Sequence, residues 1–140
     1  MKASILTVGT EILIGSITNT NSKYISEKLT DMGIDVIRQV SVDDGLDDIV
    51  EELKYLSKKS DLIVICGGLG PTEDDLTRDA VAKFLNRRVY IDEDEKQKME
   101  DRFNRLGRKM TSNNLKQVML IEGSEKIENM WGVALGESIE

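Results

Sequence analysis

Apolar positions along the first 85 residues alternate between two rhythms. Residues 3–8 form a short apolar run that predicts a buried strand. Gly9-Thr10-Glu11 ends it, and an irregular polar stretch follows through Asn19-Thr20-Asn21. Residues 22–32 then place Tyr24, Ile25, Leu29 and Met32 on one helical stripe, which Gly33 closes. Residues 34–42 read as a second strand, ended by Asp43-Asp44-Gly45, and residues 46–58 as a helix burying Ile49, Leu53 and Leu56. Residues 61–66 read as a third strand, followed by a glycine loop and a helix over residues 76–85.

Strands that alternate with helices over short connections predict an α/β fold, its parallel sheet covered on both faces. The unbroken apolar run 62–66 reads as a central strand of that sheet. The second half is less regular. Asp92 and Glu95 stand at capping-box spacing ahead of a helix with Met99, Phe103 and Leu106 on one face, and Gly107 ends it. Residues 118–121 predict a strand and residues 131–135 another. There is no repeat, linker or low-complexity segment, so the 140 residues read as one domain.

Charge and composition narrow the chemistry. A net charge of −7 and a pI near 4.7 argue against an electrostatic grip on nucleic acid. The chain has one cysteine, Cys66, which reads as a core thiol, and no histidine. An internal disulfide, a Cys/His zinc site and a histidine-based triad are thereby excluded. Any metal would be held by oxygen, which favours Mg²⁺ or Mn²⁺. No apolar stretch near Met1 is long enough for a signal peptide or membrane span, so a cytoplasmic protein with no membrane partner is expected.

Each of the first three strands ends in a small or acidic cluster: Gly9-Thr10-Glu11, Asp43-Asp44-Gly45, and the loop from Gly67 to Asp75. In a parallel sheet these ends share one edge, beyond which α/β proteins bind ligands. Gly67, Gly68 and Gly70 permit close backbone approach, and amides ahead of a helix can hold a phosphate. Thr72 is a candidate helix cap with Asp75 at capping-box spacing. Glu73, Asp74 and Asp75 in a row exceed what a helix start requires and point to a cation. Asp43 is a candidate second carboxylate, although Asp43-Asp44 taken alone reads as a turn with Asp44 as cap. Thr10 and Glu11 are candidates for binding a hydroxyl or a base edge. Arg102, Arg105, Arg108 and Lys109 read as a solvated face, and Trp131 as core or ligand wall.

The stretch Thr7-Val8-Gly9-Thr10-Glu11-Ile12-Leu13-Ile14-Gly15, with Asn19 and Asn21, resembles the start of the CinA family of competence- and damage-inducible proteins. Gly67-Gly68-Leu69-Gly70-Pro71-Thr72-Glu73-Asp74-Asp75-Leu76-Thr77 resembles that family's central motif, a domain type shared with molybdopterin-binding proteins of molybdenum cofactor synthesis. The resemblance covers essentially the whole chain. It implies a three-layer α/β/α sandwich with a mostly parallel sheet and a pocket for a phosphate-bearing pterin or nucleotide. It also implies a metal-dependent pyrophosphatase acting on ADP-ribose-like nucleotides, with an adenylyl-transfer step on a pterin or a non-catalytic binding module as alternatives. The matching positions make Asp43 and Asp75 the catalytic candidates and Asp74 with Asp75 the Mg²⁺ ligands. They make Thr10, Glu11, Gly67, Gly68, Gly70, Thr72, Thr77 and Gly132 the ligand-binding candidates. Self-association is expected as well. Relatives carry Asn-Pro-x-Gly-Thr-Ala-Pro-Gly late in the domain. Here the segment is Asn129-Met130-Trp131-Gly132-Val133-Ala134-Leu135-Gly136, without the threonine hydroxyl and the second proline. Relatives also continue past the position of Glu140 into another strand and a proline-glycine loop, so the expectation is either a domain incomplete at its C-terminal end or a pocket that lacks one wall.

Overall fold

The central strand is β1 (Lys2–Val8), whose residues from Ala3 onward are all buried. A computed structural model describes residues 1–140. After Gly9 comes a four-residue helix, α1 (Thr10–Leu13), in what the sequence pattern presented as irregular chain. Helix α2 (Thr20–Asp31) is capped by the Asn19 side chain, which accepts from the Ser22 amide. Gly33, at φ 75°, then turns the chain so that the Ile34 amide reaches back to the Leu29 carbonyl. Strand β2 (Asp35–Val42), helix α3 (Leu46–Leu56) and strand β3 (Leu62–Cys66) follow.

The three strands form a parallel sheet in the order β2-β1-β3. Alternation along β1 decides what covers each face. Ala3 and Ile5 pack with Leu29 and Ile25 of α2, and the Thr7 hydroxyl meets Ser22 of α2 at 2.8 Å. Ser4 points the other way, to Ser60 just past α3, whose buried residues are Ile49, Val50, Leu53 and Leu56. A helix layer, a sheet and a second helix layer result, so the α/β class and its parallel sheet are borne out. The apolar run of β3 differs from expectation. It borders the sheet rather than centring it and is only half-buried, because its second edge has no strand partner.

These elements make up one compact unit, residues 1–68, and residues 69–140 make up another. The second begins inside the glycine loop and holds α4 (Thr77–Leu85), β4 (Val89–Ile91) and α5 (Glu93–Arg105). A 3₁₀ stretch (Ser112–Val118), β5 (Met119–Ile121), β6 (Glu125–Ile127) and β7 (Gly136–Ser138) complete it. Strands β4 and β5 pair antiparallel, as do β6 and β7. The Asp92 side chain accepts from the Glu95 amide, so that cap stands as its spacing suggested. The strand expected over residues 131–135 is absent. Asn129 Oδ1 accepts from the amides of Trp131 and Gly132, which bends the chain there, and the strand forms later, at β7.

The second unit is tied internally by a buried ionic knot. Arg78 of α4 donates from Nε to Glu137 Oε1 (2.5 Å), from Nη1 to the Lys116 carbonyl (2.7 Å) and from Nη2 to the Leu135 carbonyl (3.2 Å). The other Glu137 oxygen accepts from the Ile121 amide and the Ser124 hydroxyl. Every polar group in the knot is therefore matched, as burial demands.

Candidate functional site

Parallel pairing in register brings the C-terminal ends of β1, β2 and β3 to one edge of the sheet: Thr7 lies between Ser41 and Cys66, and Val8 pairs with Val42. Gly9, Asp43 and Gly67 are the next residues on each strand. Three of the sequence candidates in the first unit, Thr10, Asp43 and Gly67, therefore emerge along this edge. Gly68 follows in the chain, and Glu11 sits in the first turn of α1.

Thr10 and Asp43 are in direct contact. The Thr10 hydroxyl donates to Asp43 Oδ1 and also lies 2.8 Å from Asp44 Oδ2, which accepts the Thr10 amide as well at 3.5 Å. A hydroxyl carries one proton, so it serves one carboxylate at a time. Two acids facing one hydroxyl make this a cation-attracting point on the sheet edge. The Thr10 hydroxyl, followed by the Asp44 amide, holds the Asp43 carboxyl below its ordinary range, so Asp43 is ionised at neutral pH. Asp44 is not a helix cap: Gly45 occupies that position, and the Asp44 side chain turns to Thr10 instead.

A polar network lies beneath this edge. Asn19 donates to the Thr7 hydroxyl at 3.0 Å, Thr7 meets Ser22, and the Cys66 thiol lies 3.6 Å from Thr7. Asn19 thus pins the segment after α1 to the central strand. Gly67 has a structural reason of its own. Its φ is 95°, and a β-carbon there would collide with the Val8 carbonyl oxygen, so only glycine lets β3 turn this close to β1.

In the second unit, the loop amides are already engaged by an anion. Asp75 Oδ2 accepts from the Thr72 amide (2.8 Å) and the Thr72 hydroxyl (2.6 Å), and Asp75 also receives the Gly70 amide. Gly70 leaves room for this, since a β-carbon would press on the Asp75 carboxylate. Partial burial pushes the Asp75 carboxyl up. The Thr72 hydroxyl, the Thr72 and Gly70 amides and the nearby Lys116 charge outweigh it, and the group lies below its ordinary range. Thr72 therefore does not cap α4; it is the donor of an Asp75-centred turn, and Leu76 stands at the cap position with no side-chain bond. Asp74 is exposed, and Thr77 is buried in the first turn of α4.

The same loop is gripped by a residue that the sequence reading missed. Lys116 Nζ donates to the Thr72 carbonyl at 2.8 Å. No local signal marks Lys116, because a single lysine in Asn114-Leu115-Lys116-Gln117 looks like any other solvated lysine. Gly132 falls elsewhere in this unit, lining a cavity of about 220 Å³ with Met99, Arg102, Val118, Val133 and Leu135.

The donors at the strand ends and in the loop are oxygens, the hard set that Mg²⁺ prefers. Nowhere in the chain do three or more His, Cys, Asp or Glu side chains come together so as to hold a metal ion. A cation would take one or two carboxylates and complete its shell with water and ligand phosphate, which is the usual manner of Mg²⁺.

A parallel sheet whose strand ends carry Thr10, Asp43 and Gly67 defines an α/β domain with polar and acidic groups along one sheet edge. Residues 4–135 match the family described as "probable molybdopterin binding domain". The chain is 45% identical over 137 residues to a competence-damage inducible protein of Streptococcus thermophilus, covering 97% of this chain and 32% of that protein. It therefore spans about a third of the length of that curated relative. Among solved structures, the CinA protein of Thermoplasma acidophilum superposes with a TM-score of 0.88 at 38% identity, covering 97% of this chain and 79% of that one. The molybdopterin biosynthesis enzyme MoaB of Thermus thermophilus superposes at 0.56 with 27% identity, covering 59% of this chain and 53% of that one. The chain belongs to the molybdopterin-binding-domain family and, within it, to the CinA proteins. No helix is long and apolar enough to cross a membrane.

Proposed function

We propose that this domain binds a phosphate-bearing nucleotide and, with a divalent cation, hydrolyses the pyrophosphate bond of an ADP-ribose-like substrate. The observation that carries the reading is the Thr10–Asp43 contact on the ligand edge of the parallel sheet. Asp43 is ionised, exposed and oriented by two donors. A carboxylate held below its ordinary range is a weak base, so its contribution is to orient water and attract a cation rather than to abstract a proton outright. Thr10 fixes its rotamer. Asp74 and Asp75 would hold Mg²⁺, Asp75 through the oxygen that Thr72 leaves open. When bound, the ion supplies charge neutralisation on the phosphoryl oxygens. Gly67, Gly68 and Gly70 keep side chains away from the ligand phosphate, and Glu11 and Thr72 are further candidate contacts; Thr77 is buried and Gly132 lines a different cavity, so neither has a part in this reading.

Incubation with ADP-ribose and Mg²⁺, followed by chromatography for AMP, tests this. AMP release that falls at least about 100-fold in Asp43→Asn and in Asp75→Asn is expected for residues acting on the reacting groups. No AMP, or full activity in both variants, refutes the hydrolase.

A second reading, pterin binding with or without adenylyl transfer, is favoured by the family description and by the MoaB neighbour. Val133 and Leu135, which stand where relatives carry threonine and proline, bear on the choice of ligand; Leu135 is buried and Val133 lines the cavity. Calorimetry with molybdopterin and with ADP-ribose, each with and without Mg²⁺, separates the two. A homo-oligomeric state is part of the same proposal, and light scattering tests it.

A further inference from the structure

We propose that Lys116 is a ligand-binding residue: its ammonium group takes the phosphate oxygens of the ligand that the glycine loop receives. This rests on the reading that the domain binds a phosphate-bearing small molecule. Three observations carry it. First, the loop amides that would greet an anion, those of Gly70 and Thr72, already hold the Asp75 carboxylate. With Glu73 and Asp74 alongside, the loop repels a phosphate unless a cation is at hand. Second, Lys116 supplies that cation. Its Nζ lies 2.8 Å from the Thr72 carbonyl, and its charge is felt at Asp75 without a carboxylate in ion-pair contact. An ammonium has three donors and the carbonyl takes one, so two remain for a ligand. Third, the lysine is held in place. Its carbonyl accepts from Arg78 Nη1 at 2.7 Å, and Arg78 is anchored in turn by Glu137 and the Leu135 carbonyl. Arg78 sits in the first turn of the helix that follows the glycine loop, so the loop, its helix and its lysine form one closed brace. Lys116 is the contact, and Arg78 is its positioning residue.

Calorimetric titration of the whole chain tests the assignment, with ADP-ribose and inorganic pyrophosphate as phosphate-bearing probes and adenosine as the phosphate-free one. Lys116→Gln keeps a donor for the Thr72 carbonyl and removes the charge. It is expected to weaken ADP-ribose and pyrophosphate by about 10- to 100-fold, the loss of a charge-assisted bond. Adenosine affinity and melting temperature should stay at the wild-type values, and the salt dependence of ADP-ribose binding should flatten. Lys116→Arg, which retains the charge, should restore part of the affinity. Equal ADP-ribose affinity in wild type and Lys116→Gln overturns the assignment and leaves Lys116 a loop tether. Parallel loss of adenosine binding also overturns it, by showing a structural role. If the wild type itself binds neither phosphate-bearing probe, the functional reading fails and this inference falls with it, a result visible before any variant is made.

Discussion

Arg78→Met removes the centre of the brace that positions Lys116, and the structure sets the size of the effect. Arg78 and Glu137 are both almost fully buried, with side-chain exposures of 7% and 10%. Truncation of the arginine leaves the Glu137 carboxylate with two neutral donors, the Ile121 amide and the Ser124 hydroxyl, and no cation. It also leaves the Lys116 and Leu135 carbonyls without their guanidinium donors. Removing one partner of a buried pair costs about 3–5 kcal/mol. The methionine retains much of the apolar stem, so little of this loss comes from a cavity. Urea unfolding followed by circular dichroism should show a midpoint lower by roughly 1–5 M at an ordinary denaturant sensitivity of about 1–3 kcal/mol per molar. The double variant Arg78→Met with Glu137→Met removes the stranded charge and should recover a substantial part of the loss. A single variant within about 1 kcal/mol of wild type, well below the expected range, or a double variant no more stable than the single one, refutes the account of the knot.

Other consequences are measurable separately. Gly67→Ala places a β-carbon against the Val8 carbonyl at φ 95° and should cost about 2–4 kcal/mol, read as a lower melting temperature; an unchanged melt refutes the close-approach argument. Asp75 has its carboxyl depressed below the ordinary 3.8 by its donors, so its stabilisation is fully present above about pH 4 and is lost as pH falls through the depressed value. The acid limb of a stability–pH curve should therefore flatten in Asp75→Asn, and an identical limb contradicts the nest of donors around this residue. Thr10→Val should let the Asp43 carboxyl rise back toward 3.8, as followed by carbon-detected NMR titration; no upward movement means the hydroxyl is not what holds it down.

Most elements of the first unit are legible in the sequence, because each makes a local statement. The apolar runs of β1 and β3, the stripe of Ile49, Leu53 and Leu56, and Gly33 after α2 depend on near neighbours in the chain. The candidate edge was legible too: once the strands are parallel, residues after Val8, Val42 and Cys66 must meet along one side. Helix α1 was not, since four residues with no buried side chain leave no periodicity to read. The bend at residues 129–132 was misread as strand because the apolar residues there suggested burial, whereas the Asn129 side chain takes the Trp131 and Gly132 amides and Trp131 stays almost fully exposed. The Asp44 and Thr72 caps failed for a related reason. Each residue sits at cap spacing, yet its side chain found a different partner, Thr10 for Asp44 and Asp75 for Thr72.

The sequence by itself determined the family, the parallel α/β order and the residue types at the strand-end edge of the sheet, since these rest on local pattern and on a long contiguous motif. Only the tertiary structure decided that β1 rather than β3 is central, that Asp75 occupies the amides of its own loop, and that Arg78, Glu137 and Lys116 act as one brace. Strand order and buried charge pairing join residues dozens of positions apart, and no local propensity encodes a partner at that distance.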